Sequence, residues 1–395
     1  MTQGDYSYSD CLDLLRSELK NTRFENEEVA VLSQLKSSGL RIPYVSEETY
    51  EKISQKFTPK SEKKPVFTFI DLFAGIGGFR LALSGLDGKS VFSSEWDKNA
   101  KSYYLKNYDE MPFGDINLFT SDEIFDNELG ALIPSHDILA AGFPCQPFSL
   151  AGVSARNSLG KKHGFECTIQ GTLFYSIERI VRLKKPKVLF LENVKNLINH
   201  DGGKTFQVIK DTIENLGFDF FYQIVNSETL VPQRRERCFM ICVQKELVEE
   251  KGKFEFPNFT GTPKPLSEIL EKNPDPSYTI SDKLWQGHIA RSRRNKARGT
   301  GFTTGEADLS RPSNTIVARY GKDGKECLIP QAGKNPRYLT IDECRRLFGY
   351  PENFKLPDAR TPAYKLLGNS VVVPVVQRLA SAIVSQYFSV TDKRV

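Results

Sequence analysis

Residues 66–79 read VFTFIDLFAGIGGF. An apolar run of strand length, VFTFIDLF, meets three glycines at 75, 77 and 78, and an apolar pattern resumes at once behind them. A short, nearly continuous apolar run suits a strand buried on both faces. Glycines directly after it permit unusual dihedrals and let the backbone approach a ligand closely, as in the first turn of a βαβ unit. Working outward, SVFSSEW (90–96), HDILAAGF (136–143) and KVLFLENV (187–194) are runs of the same kind. Helical segments are predicted near 78–86, 97–107, 171–184 and 203–216, with further strands near 219–226 and 237–244. Buried strands alternating with helices predict an α/β fold: a mainly parallel sheet with helices on both faces.

On the N-terminal side, residues 1–64 read as a separate helical extension. An amphipathic helix starts at Asp10, a second runs near Glu27–Ser38, and Thr58–Pro65 is a polar linker. On the C-terminal side the alternation stops after Phe256. Residues 257–338 are rich in Pro, Gly, Arg and Thr, with β-like pieces such as TIVARY (315–320), and read as a smaller, irregular domain. Helix returns from Leu339, and 371–388 is strongly amphipathic. The expected domains are 1–64 (extension and linker), 65–250 (catalytic and cofactor-binding, completed by 362–395) and 251–361 (a recognition domain and hinge).

A chain of 395 residues fits two or three domains at about 150 residues each. With 39% apolar and 26% charged residues it has ample material for a core. No uninterrupted apolar run reaches the ~18 residues of a spanning helix. The N-terminus, MTQGDYSYSDCLD, is polar and acidic, unlike a secretory signal. Seven scattered cysteines (11, 145, 167, 238, 242, 327, 344) form neither a disulfide framework nor a zinc spacing, so a reducing cytoplasm is expected. Of the net charge of +5, Lys283–Arg337 carries +8, from twelve basic and four acidic residues. Five of these basic residues fall within RSRRNKAR (291–298). Arginine forks suit phosphates and guanine edges, which points to nucleic acid rather than a merely solvated face.

Three groups at strand ends carry chemistry. Glu95 closes the second run, where a carboxylate can accept two ribose hydroxyls. Trp96 offers a flat face, and Asp115, at the end of an expected third strand (GDI, 114–116), can hold an adenine amino group. This set suits an adenosine cofactor without separating NAD from others, although FAGIGG is not the GxGxxG of dehydrogenases. Cys145, in GFPCQPFS (142–149), follows a strand. It is either a small buried hydrophobe or, as the stiffening prolines suggest, a presented nucleophile. Glu192, in ENV, ends the next strand, where a carboxyl group is expensive to bury unless used or paired. QRRER (233–237) adds guanidinium forks.

Together, FAGIGG, EW, GDI, GFPCQPFS, ENV, QRRER and Gly368-Asn-Ser-Val371 stand in one order across roughly 66–385. In this the chain resembles the DNA (cytosine-5)-methyltransferase family. It is most similar to the Dcm type, which modifies CCWGG, through FSLAGVSARNSLGKKHGF (148–165), ARGTGF (297–302) and VARYGKDG (317–324). The resemblance implies a Rossmann-like sheet of the S-adenosylmethionine-dependent methyltransferase type, with a smaller, irregular target-recognition domain. It implies transfer of a methyl group from S-adenosylmethionine to C5 of a flipped cytosine in double-stranded DNA, at a CCWGG- or CCNGG-like site.

The site residues carry over by motif. Cys145 would attack C6, Glu192 would bind N3 and the amine, Arg237 would contact O2, and Arg235 would support the pocket. Phe73, Gly75, Ile76 and Gly78 would line the methionine side of the cofactor. Glu95 would take the ribose, Trp96 the adenine face, and Asp115 and Ile116 its edge. Pro144, Leu173, Asn369 and Val371 would complete that pocket, with simple core packing as the alternative for Leu173 and Val371. Gln146, Ser149, Arg298 and Arg319 would contact DNA, the two arginines at guanines or at phosphates. No metal is required. A monomer in the bacterial cytoplasm, associated with the nucleoid, is expected, with a possible cognate restriction endonuclease acting on the same site. Two rivals stay open: a tRNA cytosine-5 methyltransferase, and a methyltransferase that doubles as a transcriptional regulator. Against the second, residues 1–64 hold ten basic and eleven acidic side chains.

Overall fold

The computed structural model describes residues 7–56, 64–144, 173–299 and 305–388. The apolar runs become strands β1 (Phe67–Leu72), β2 (Gly88–Ser94), β3 (Ile138–Gly142) and β4 (Val188–Val194), followed by β5 (Phe218–Asn226) and β6 (Glu236–Gln244). They form one sheet in the order β2-β1-β3-β4-β6-β5. β1 pairs in parallel with both β2 and β3, and β3 in parallel with β4. Phe69, Ile70, Leu139, Ala140, Leu189 and Phe190 are all fully buried, as strands covered on both faces require. The chain passes from β1 to β2 on one side, then crosses to β3 on the other. The winding therefore reverses between β1 and β3. Ligands of open α/β sheets bind outside the carboxyl ends of the strands at such a point. The glycine turn leaves β1 there, and Phe143-Pro144 leaves β3.

Two compact units divide the chain. The first comprises Met1–Gln223, Cys238–Glu255 and Ala380–Val395; the second comprises Ile224–Arg237 and Phe256–Leu379. Within the first unit, the segment read as a separate extension forms helices α1 (Tyr8–Leu19), α2 (Glu28–Ser38) and α3 (Glu47–Lys56). It contributes Cys11, Leu15, Leu19, Val31 and Leu32 to the core. The connection between α1 and α2 sets Phe24 edge-on against Phe113 and Phe119. The strand expected to carry Asp115 shrinks to a single parallel bridge between Ser94 and Phe113. Pro112 has no N–H to donate to a ladder, and the Gly114 N–H is taken by the Glu27 carboxylate at 3.2 Å.

The second unit differs from its sequence reading in two places. Asp282–Arg298, expected to be irregular, is a helix. The Ser281 hydroxyl caps its start, accepting from the Leu284 N–H, and Gly299, at φ +63°, ends it. His288 is its only buried residue, so no apolar periodicity announced it. Conversely, TIVARY forms no strand. The side chain of Gln233 accepts the Ile316 N–H (2.9 Å) and that of Arg235 donates to the Ile316 carbonyl (3.0 Å), so side chains replace a neighbouring strand. The segment Arg360–Tyr387 reaches the length and mean hydropathy (1.4) of a spanning helix. It is broken into the helices Arg360–Asn369 and Val373–Tyr387, and 61% of its most apolar stretch is buried in the fold.

Candidate active site

Three segments of the first unit meet at the carboxyl edge of β1 and β2. After β1 the chain turns through positive φ at Phe73 (+55°), Gly75 (+57°) and Gly77 (+85°). The Ala74 N–H is tied to the Ser94 carbonyl at 3.0 Å. At Gly77 a Cβ would lie 2.3 Å from the Tyr108 ring, so only glycine fits; at Gly75 a Cβ would meet nothing among the described residues. The turn thus presses Gly77 inward and leaves Gly75 facing open space, the cradle that a close-lying ligand needs. Ile76 and Gly78 are buried, and Gly78 opens the helix Gly78–Ser84.

Glu95 continues directly from β2. Its Oε2 accepts the Gly75 N–H and its Oε1 the Asp97 N–H, both at 2.7 Å. It is buried, and desolvation raises its carboxyl above the ordinary range, against the opposing effect of these bonds. The backbone therefore holds the carboxylate in one orientation at the strand end. The neighbouring Trp96 is 75% exposed, an unusual placement for tryptophan. The Ser94–Phe113 bridge brings the third segment alongside: the Glu95 N–H reaches the Phe113 carbonyl at 2.9 Å. There Ile116 is buried and Asp115 is exposed, its Oδ1 accepting the Asn117 N–H. A backbone cradle, a fixed carboxylate, an open ring and a second carboxylate on one edge fit a nucleoside with a ribose diol.

The second cluster lies where β3 and β4 end. Their parallel register places Glu192 opposite Gly142, three residues before Cys145. Its Oε2 would be 3.5 Å from a Cβ built on Gly142. Glu192 is 9% exposed. Asn193 donates its side-chain amide to the Phe143 carbonyl at 2.9 Å, clamping the start of the segment that leads into Pro144. Pro144 is exposed, and Leu173 begins the helix Leu173–Lys184, half-buried. Cys145, Gln146 and Ser149 lie outside the described residues. Cys238 offers no alternative nucleophile, since burial, with the Glu192 charge adding to it, pushes its thiol up to about 12.

The remaining expected residues fall in the second unit. Arg235 is buried and donates to the backbone carbonyls of Ile316 (3.0 Å), Gly368 (3.0 Å) and Ser370 (2.7 Å), with its guanidinium over the Phe348 ring. It knits this unit around the GNSV segment. A Cβ at Gly368 would lie 2.3 Å from the backbone of Val317 and Ala318, which explains the glycine. Arg237 is half-buried; Asn369 is exposed at the end of its helix, and Val371 is buried. Arg298 and Arg319 are both exposed. His288, on the same helix as Arg298, donates Nε2–H to the Asp323 carbonyl (2.7 Å) and accepts from Arg291 at Nδ1 (2.7 Å). That pins the helix to the turn Tyr320–Asp323 behind Arg319. Sequence reasoning assigned no role to Asn193 or Gln233; their only signal was membership of the ENV and QRRER motifs.

Comparison with known proteins matches residues 67–385 to the model of the C-5 cytosine-specific DNA methylase. The chain is 45% identical over 322 residues to the Type II methyltransferase M.SsoII of Shigella sonnei, covering 81% of this chain and 80% of that one. It is 38% identical over 362 residues to the DNA-cytosine methyltransferase of Escherichia coli K12, covering 80% and 76%. Among solved structures, the Dnmt2 methyltransferase of S. pombe shares the fold, with a TM-score of 0.59 at 16% identity over 81% of this chain and 98% of that one. The chain belongs to the C-5 cytosine-specific DNA methylase family. It is a Dcm-like DNA (cytosine-5)-methyltransferase, so its substrate is DNA, and enzymes of this family and fold depend on S-adenosylmethionine.

Proposed function

We propose that this enzyme methylates C5 of a cytosine flipped out of duplex DNA at a CCWGG- or CCNGG-like site, with S-adenosylmethionine as donor. The register that sets Glu192 opposite Gly142, at the root of the Pro144-Cys145 segment, is the observation that carries the reading. The target reading rests on the similarity of 148–165, 297–302 and 317–324 to the Dcm type. The 45% identity to an enzyme named as a Type II methyltransferase supports a role in a restriction-modification system. A monomer, with any cognate endonuclease sharing only the site, fits that role.

C5 of cytosine is too weak a nucleophile to take a methyl group unaided. Cys145 overcomes this by adding its thiolate to C6, while Glu192, bound to N3 and the exocyclic amine, favours protonation of N3. Electron density moves to C5, which accepts the methyl group. Loss of the C5 proton and departure of Cys145 restore the aromatic ring. Arg237 contacts O2 of the base, and Arg235 supports the pocket through its bonds to the Ile316, Gly368 and Ser370 carbonyls. Bound S-adenosylmethionine supplies an electrophilic methyl on a sulfonium. Phe73, Gly75, Ile76 and Gly78 would hold its amino-acid part, Glu95 its ribose, and Trp96, Asp115 and Ile116 its adenine, with Pro144, Leu173, Asn369 and Val371 as the further residues of that pocket. The base must leave the stack to reach these groups, because its C5 and C6 are inaccessible within the duplex. Gln146 and Ser149 contact the DNA as it does so.

Cys145→Ser should fold and bind DNA yet lose methylation, since serine is too weak a nucleophile here. With 5-fluorocytosine at the target, the fluorine blocks the final elimination. An adduct should then accumulate at Cys145, detectable by mass spectrometry, only when S-adenosylmethionine is present. Absence of the adduct from an enzyme that methylates normal DNA would refute the covalent scheme. Duplex DNA and tRNA assayed side by side test the substrate, and bisulfite sequencing reads the site.

A further inference from the structure

We propose that the N-terminal helices are a positioning element for the adenine side of the cofactor site, acting through Glu27, Ser33 and Gln34 on segment 110–116. This rests on the reading of Asp115 and Ile116 as adenine-edge residues. The segment forms no strand of its own: an isolated bridge at Phe113 joins it to β2, the Ser94 hydroxyl donates to the Gly114 carbonyl at 2.8 Å, and Ser93 Oγ donates to Glu110 at 2.9 Å. Residues about eighty positions earlier add a second set of bonds from the other side. Ser33 Oγ accepts the Met111 N–H at 2.7 Å. The fully buried Gln34 amide donates to Ser93 Oγ (3.0 Å) and Glu110 Oε1 (3.1 Å). Glu110 in turn pairs with Arg80, on the helix that opens at Gly78, at 3.0 Å. One polar network therefore links α2, β2, segment 110–116 and the helix behind the glycine turn.

Glu27 holds the residue next to Asp115. Its Oε2 accepts the Gly114 N–H at 3.2 Å and pairs with Lys101 Nζ at 3.0 Å. A Cβ at Gly114 would lie 2.5 Å from Glu27 Oε1, so a side chain there would push the carboxylate from its place. Asn21, Arg23 and Tyr44 also line, together with Asp115, a cavity of about 610 Å³. Removing a partner from a buried donor or acceptor costs more than the bond contributed, so this segment would shift or loosen without these contacts. A loosened segment must be reordered when ligand binds, and that cost appears as weaker affinity. Coupling is reciprocal: bound ligand should steady the N-terminal helices.

The test uses the full-length chain and S-adenosylhomocysteine titrated by calorimetry. Glu27→Ala and Gln34→Ala should each weaken binding about tenfold, the scale of one buried hydrogen bond lost. Glu27→Gln keeps an acceptor for the Gly114 N–H and should recover most of the affinity. In turnover, KM for S-adenosylmethionine should rise with kcat nearly unchanged. Hydrogen exchange within 28–38 should slow when S-adenosylhomocysteine is added to the wild type. Ser33→Ala provides a milder variant if either alanine substitution prevents folding. Glu95→Ala separates the two levels of inference. If the wild type fails to bind, or Glu95→Ala binds as tightly as wild type, the cofactor-site reading falls. If Glu95→Ala weakens binding while the Glu27, Ser33 and Gln34 variants all bind like wild type, the positioning role falls alone.

Discussion

At the residue scale, the buried polar groups of the first unit state their function through their partners. Glu95 tolerates burial because two backbone N–H groups face it, and the same bonds aim its carboxylate. His136 shows the cost when only one side is satisfied. Its Nδ1 donates to the Pro134 carbonyl at 2.8 Å, and Nε2 is buried with no hydrogen-bond partner among the described residues. Burial pushes its pKa down to about 4. Between roughly pH 6.5 and 4 the unfolded chain therefore takes a proton that the folded chain refuses, and stability falls with pH through that window. The contribution is fully present above about pH 6.5 and amounts to about 3 kcal/mol when lost. Urea midpoints measured from pH 7.5 to 4.5 should fall less steeply for His136→Gln than for the wild type; parallel curves would contradict this account.

At the element scale, QRRER works as a clamp as much as a set of charges. Gln233 and Arg235 occupy the backbone groups of Ile316, and Arg235 also holds the carbonyls at both ends of Gly368-Asn-Ser370. Lysine keeps the charge but lacks the planar fork that reaches three carbonyls. Arg235→Lys should therefore destabilise the second unit by about 3 kcal/mol, at roughly 1–3 kcal/mol for each buried acceptor left unpaired. Thermal unfolding followed by circular dichroism measures this. A variant that melts with the wild type while losing methylation would mean that Arg235 acts on the substrate instead. TIVARY belongs to the same lesson: its β-branched residues satisfied the pattern for a strand, but side chains from 233–235 took the bonds a neighbouring strand would have made.

At the scale of the whole molecule, the proposed function separates recognition of the target base from recognition of its neighbours. A flipped cytosine is identified in its pocket, whereas flanking bases are read in a groove. The exposed basic helix Asp282–Arg298 and the turn at Arg319 supply side chains suited to that reading. Loss of a guanine contact should cost about 1–3 kcal/mol at one position and relax the preference there. A lost phosphate contact should weaken all sequences alike and lower the salt slope by about one. Arg298→Ala and Arg319→Ala, assayed on DNA randomised around the cytosine, distinguish the two. Unchanged sequence preference in both variants would assign base reading to other residues.

The sheet strands, the glycine turn and the order of motifs were legible in the sequence because each depends on local properties. Run length and apolarity mark a buried strand, and glycine alone tolerates the turn after β1. The same motifs identified the family and named Glu95 and Glu192. What required the tertiary structure was everything that depends on a distant partner. The β3–β4 register sets Glu192 against Gly142, and α2 captures the backbone of 110–116. The Gly114 N–H is held by Glu27, eighty-seven positions away. The basic helix at 282–298 was hidden for a related reason: with a single buried residue it carries no apolar stripe, and only its caps and its tie to Asp323 reveal it. Periodicity records which face a segment buries, not which remote group completes its hydrogen bonds, so those choices are made only when the chain is folded.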